Sequence, residues 1–258
     1  MDYIQAILLG IIQGITEWLP VSSSGHLALL QNLFGVAPPV VFDIMLHLGT
    51  LTAVLVYFRK DIFALIKGFF TFDKNNPEFK LSFLIILASI PTAIVGFTLK
   101  DFFASFFSNT LYVGIALLMT GTFLLLTRNA SGTKTPDAKS AIIMGIAQGF
   151  AVAPGISRSG ATISAGMLLG LDKEKAARFS FLMFIPAMVG ATLFEAKEVS
   201  SLGSDFGPAV AGTIVAALVG YAAIGLLLKL INKNKFSYFS YYCFVLGAIT
   251  IALSLISI

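Results

Sequence analysis

Three observations predict an all-α polytopic membrane protein. Of the 258 residues, 57% are hydrophobic and only 12% are charged, about half the charge of a soluble domain. Six apolar runs are long enough to cross roughly 30 Å of hydrocarbon, and two further apolar regions are interrupted at their centres by Pro, Gly and hydroxyl residues. The net charge of +4, in so apolar a chain, reads as loop asymmetry across a bilayer rather than as a nucleic-acid footprint. No nucleic-acid partner is expected.

Taken in order, the start Met1-Asp2-Tyr3 lacks the basic region of a secretory signal, so the first apolar stretch is expected to remain in the mature protein. That stretch, 2–35, is interrupted. Three spans follow at about 41–58, 81–99 and 111–127, then a second interrupted region at 140–170, then spans at about 179–195, 208–228 and 239–257. The pieces after the breaks, 27–34 and 161–169, are too short to span. Irregular backbone at membrane depth survives only where protein or a wet cavity surrounds it, so both regions read as re-entrant helix-loop-helix hairpins. Glu195, Lys197 and Glu198 read as a helix end at the interface, and Arg59-Lys60-Asp61 as a cytoplasmic anchor. The lone cysteine, Cys243, lies in an apolar run and reads as packing filler.

The two hairpins repeat each other without a gap at an offset of 135. Over 6–25 against 141–160, nine of twenty positions are identical, including Gly10/Gly145, Gln13/Gln148, Gly14/Gly149, Ser22/Ser157, Ser24/Ser159 and Gly25/Gly160. The chain is therefore expected to be one membrane domain, 1–258, built from repeats at 1–128 and 139–258. Three spans between the hairpins put the second copy into the membrane from the opposite face, an inverted-topology repeat. With this layout fourteen basic residues fall on one side, in 59–80, 128–139, 173–178 and 229–235, and only Lys100 and Lys197 on the other. The rule that basic loops stay inside then makes those loops cytoplasmic and both termini external, in a multi-pass plasma-membrane protein.

Polar residues inside such segments need a reason, because a charge at the bilayer centre costs roughly 2.5 to 3.5 kcal/mol. Gln13 and Glu17, four apart, share one helix face. Pro20 ends that helix, and Ser22-Ser23-Ser24-Gly25-His26 begins another; the second loop reads Pro154-Gly155-Ile156-Ser157-Arg158-Ser159-Gly160-Ala161-Thr162. Two Ser- and Gly-containing loops, each opening into a short helix, offer N–H groups, hydroxyls and positive dipole ends to one anion. Ser22, Ser24, Gly25, Ser157, Ser159, Gly160 and Thr162 are the candidate phosphate-binding residues. Arg158 can grip phosphate oxygens, His26 suits proton transfer, and Ser23 or a water can attack phosphorus. Gln13 and Glu17 offer only oxygen ligands, which suits a hard cation, Mg²⁺ or Ca²⁺, shared with the substrate's phosphates. Asp43 and His47, also four apart, are divided between a site-facing pair and a solvated helix start.

These motifs resemble the two signatures of the undecaprenyl-diphosphate phosphatase family, the bacitracin-resistance type, and the similarity runs through nearly the whole chain. The resemblance implies a membrane enzyme that removes the terminal phosphate of a polyprenyl diphosphate, returning the monophosphate carrier to cell-envelope glycan synthesis. It also implies that Glu17, Ser23, His26 and Arg158 form the core of the site, with Gln13 where many members carry Glu. Serine, histidine and water all remain open as the nucleophile, and the oligomeric state is open between monomer and homodimer. The alternative is a polyprenyl-phosphate flippase or transporter, since inverted repeats with broken helices are a transporter architecture. A phosphatidic-acid-type phosphatase ranks lower, because the second signature has no downstream histidine: the two are spent at His26 and His47.

Overall fold

The computed structural model describes every residue except 108, 196–201, 204 and 257–258. Lys197 and Glu198 therefore lie outside the described residues. The described chain is helical: α1 (Tyr3–Trp18), α2 (Ser23–Phe34), α3 (Val40–Tyr57), α4 (Arg59–Phe69), α5 (Pro77–Thr98), α6 (Lys100–Phe107), α7 (Thr110–Leu126), α8 (Ala138–Phe150), α9 (Arg158–Leu168), α10 (Lys173–Glu195), α11 (Phe206–Asn232) and α12 (Phe239–Ile256). Six of them, α3, α5, α7, α10, α11 and α12, are long and apolar enough to cross a membrane.

Local chemistry sets the boundaries. Asp2 and Asp137 cap α1 and α8 in reciprocal capping boxes, Asn76 caps α5 ahead of Pro77, and Ser22 and Ser157 cap α2 and α9. Each cap satisfies N–H groups that the first helical turn leaves unpaired. Both interrupted regions are pairs of helices joined by a short loop, α1 with α2 and α8 with α9.

The surface is apolar where a soluble protein's would be polar. On α5, Phe83, Ile86, Ile90, Ile94 and Phe97 are exposed, and their three- and four-residue spacing makes one stripe along the helix. Inside, Trp18 meets Phe181 and Phe184 edge-on at 5.1 and 5.2 Å, and Phe58 packs on Phe181.

Glycines let the interrupted regions approach the long helices. A methyl group on Gly14 of α1 would stand 2.8 Å from the Val219 side chain of α11, and one on Gly149 of α8 would stand 2.6 Å from the Val95 side chain of α5. Gly10 faces Gly212 and Gly145 faces Ala88 in the same way. Each hairpin thus packs on a long helix from the other half of the chain.

Two helices, α4 and α6, had no counterpart among the spans and hairpins expected from the sequence. After Arg59 and Lys60 the chain continues as α4, whose Leu65 and Gly68 are buried against α5 while Phe63 and Ile66 are exposed. Asp61 pairs with Arg178 of α10. At eleven residues, α4 is too short to register as a span.

Candidate functional site

Pro20 and the loops that follow α1 and α8 bring the two hairpins into contact. Ser22 adopts φ 69°, ψ 98°, a left-handed conformation that costs a non-glycine residue about 1–3 kcal/mol. Its hydroxyl is the reason it holds: the oxygen accepts from Gly25 N at 3.3 Å and, across the hairpins, from Gly155 N at 3.1 Å. Gly155 itself turns at φ 94°. Ser159 donates back to Leu19 O at 3.4 Å. The corresponding Ser157 has ordinary extended backbone. The strain is confined to the first loop, where Ser22 precedes Ser23.

Four donors gather on one carboxylate. Glu17, 5% exposed, accepts from Ser23 Oγ at 2.6 Å and Gln13 Nε2 at 3.1 Å on Oε2, and from Arg158 Nη2 at 2.8 Å on Oε1. His47 Nε2 lies 3.4 Å from Oε2. Arg158 lies over two aromatic rings, its guanidinium carbon 4.2 Å from the Phe184 ring centroid and 5.1 Å from that of Trp18. Such stacking favours guanidinium over a hydrated ammonium. Glu17 holds only one edge of the group, leaving Nε and Nη1 buried without a partner among the described residues.

The remaining sequence candidates fall into two groups. Ser22, Ser157 and Thr162 serve the protein's own structure: Ser157 Oγ accepts from Gly160 N at 3.1 Å, and Thr162 meets Ser180 Oγ at 2.6 Å. Ser24 lies 3.4 Å from Ser22 Oγ, Ser159 lies 3.3 Å from Ser157 Oγ, and Gly25 and Gly160 stand in the first turns of α2 and α9. His26, in the first turn of α2, faces Tyr242 rather than Glu17. Its Nδ1 donates to Ser22 O at 2.7 Å, its Nε2 meets Tyr242 OH at 2.7 Å, and the two rings stack at 5.7 Å.

Sequence reasoning passed over three contributors. His47 was visible as half of a four-residue pair but undecided; Tyr242 and Phe184 gave no signal, being aromatic residues in apolar runs. Tyr242 also lines an apolar groove of about 450 Å³ with Ile15, Leu19, Leu230, Lys235 and Phe239.

Gln13 turns its Nε2 to Glu17, and its Oε1 is buried without a partner among the described residues. Two protein oxygens suit a hard cation that completes its shell with phosphate and water. Among the described residues no three of His, Cys, Asp and Glu cluster as a metal site.

A buried carboxylate held by an arginine from a second hairpin, inside a six-span helical body, defines a multi-pass membrane protein with a charged interior site. The sequence matches the family described as Bacitracin resistance protein BacA over residues 6–249, and the chain belongs to that family. It is 44% identical to a protein of Methanosphaera stadtmanae over 99% of both chains, and 46% identical to one of Alkaliphilus metalliredigens over 99% of this chain and 100% of that protein. It is 47% identical to one of Desulfosudis oleivorans over 97% and 98% respectively. All three relatives are named undecaprenyl-diphosphatase.

Proposed function

We infer that the protein is an undecaprenyl-diphosphatase, a membrane enzyme that hydrolyses the terminal phosphate from a polyprenyl diphosphate to leave the monophosphate. The observation that carries the site is the 2.6 Å contact of Ser23 Oγ with Glu17 Oε2, a carboxylate held from its other oxygen by Arg158. That contact is the nucleophile-and-base pairing that phosphoryl transfer to a hydroxyl needs.

In this reading Arg158 turns an unpartnered guanidinium N–H to the terminal phosphate while Nη2 keeps Glu17 in place. The dipoles at the starts of α2 and α9 add positive potential at the same point. Ser23 Oγ attacks the terminal phosphorus and its proton passes to Glu17 Oε2. The anhydride P–O bond breaks, and the prenyl monophosphate leaves. Water then cleaves the phosphoserine, releasing inorganic phosphate and restoring the hydroxyl. His26, its Nδ1 proton committed to Ser22 O, has Nε2 as its exchangeable position on the Tyr242 side. A divalent cation, Mg²⁺ or Ca²⁺, held by Gln13 Oε1 and Glu17, supplies neutralisation of the diphosphate's charge when bound.

The proposal extends to topology. The equivalent packing of Gly14 on Val219 and Gly149 on Val95 supports an inverted repeat of 1–128 and 139–258 with re-entrant hairpins. The basic loops are placed in the cytoplasm and the termini outside. No observation favours the flippase alternative.

The test is phosphate release from a long-chain polyprenyl diphosphate by purified protein in detergent, beside Glu17→Gln and Arg158→Ala. Release that both substitutions abolish is the expected result; no release by the folded wild-type protein overturns the reading.

A further inference from the structure

We propose that His47 is a positioning residue for the phosphoryl-transfer step, fixing the Glu17 carboxylate in the rotamer that receives the Ser23 proton; the inference rests on the phosphatase reading. His47 projects from α3, a span that supplies none of the motif residues. Its Nδ1 donates to Asp43 O at 2.7 Å, and Nε2 faces Glu17 Oε2 at 3.4 Å. Nδ1 thus lies against a carbonyl of its own helix and Nε2 against the carboxylate of α1.

The contact belongs to a closed circuit. Asp43 Oδ1 accepts from Gln31 Nε2 at 2.7 Å, and Gln31 lies on α2, the helix that begins with Ser23. Ser23 in turn donates to Glu17, and Glu17 faces His47. Side-chain contacts therefore run from α2 to α3 to α1 and back to α2. Thr50 Oγ1 donates to His47 O at 2.9 Å. The circuit ties the nucleophile's helix to the base's helix on the side opposite Arg158.

The mechanical need is specific. Arg158 holds Oε1, but a carboxylate held at one oxygen still pivots about its last side-chain bonds. Ser23 cannot both anchor Oε2 and deliver its proton there. Gln13 reaches the same oxygen at a longer 3.1 Å from the preceding turn of α1. His47 is the contact from another helix that fixes Oε2 as the Ser23 hydrogen bond is spent. A distance of 3.4 Å is long for a hydrogen bond, and catalytic contacts in unliganded sites commonly tighten when substrate binds.

The experiment compares wild type with His47→Met, His47→Ala and His47→Gln, using the full-length protein in detergent, a long-chain polyprenyl diphosphate and saturating Mg²⁺. Expected are a kcat reduced at least about tenfold in the Met and Ala variants with KM within about threefold, and a kcat restored to within about threefold in the Gln variant, which keeps an N–H donor. Full kcat in the Met and Ala variants overturns the proposal, as does a Gln variant as impaired as they are. A thermal-unfolding cycle of His47→Met with Glu17→Gln is read independently of turnover. Departure from additivity by about 2–4 °C is expected, and strict additivity overturns the contact. Wild-type protein that releases no phosphate removes the phosphatase reading alone, and the cycle still decides whether His47 holds Glu17.

Discussion

Ser23 and Arg158 occupy equivalent positions 135 apart in the two repeated loops, and both donate to Glu17, at 2.6 Å on one oxygen and 2.8 Å on the other. Positions that match between the two similar loops thus carry different chemistry at a shared point. The following expectations come from that arrangement and from the packing that holds it.

Arg158→Ala leaves Glu17 buried without its strongest partner. Breaking a buried pair on one side costs about 3–5 kcal/mol, and losing a phosphate-holding cation costs about 10²–10³ in kcat. Thermal unfolding and phosphate release, measured on the same preparation, should both fall. Arg158→Lys should recover part of the stability and little of the rate, because an ammonium does not reproduce the planar contact with the Trp18 and Phe184 rings.

Ser23→Ala removes the proposed nucleophile while Arg158 still holds Glu17. Turnover should drop by about 10³ or more with the unfolding temperature changed little, and no acid-stable phosphoserine should form. A variant that keeps most of its turnover rejects the serine route in favour of water or histidine.

Chelation should abolish release, and Mg²⁺ or Ca²⁺ should restore it. Gln13→Glu puts a second carboxylate beside Glu17, so half-maximal activation should shift to a lower cation concentration. An activity indifferent to chelator and to this substitution removes the cation from the site.

Gly145→Val should disrupt the fold, because a side chain there meets Ala88 and Pro91 of α5. Gly190→Ala is the control: nothing lies within 4 Å of its added methyl, and alanine favours a helix interior by about 1 kcal/mol over glycine. Expression in membranes and unfolding temperature separate the two.

Sidedness can be read with a membrane-impermeant thiol reagent, since Cys243 is buried and should stay silent. A cysteine at Gly35 should label in intact cells, and one at Lys74 only after lysis. The reverse pattern overturns the external placement of the first hairpin.

The amino-acid sequence determined the helical class and the six spans, because crossing hydrocarbon demands long apolar runs and interruptions show plainly against them. It also marked Gln13, Glu17, Ser23, His26 and Arg158, since polar groups at membrane depth are too costly to be incidental. Tertiary structure alone decided which of them meet. Glu17 and Arg158 are 141 positions apart and touch, whereas His26, three residues after Ser23, turns to Tyr242 instead. His47 reaches the site because α3 packs beside α1, and Phe184 because α10 brings a ring over Arg158. Local spacing tells which side chains share a helix face; it carries no information about which face of a distant helix will be opposite, since that is set by close packing of glycines and aromatic rings across the whole body.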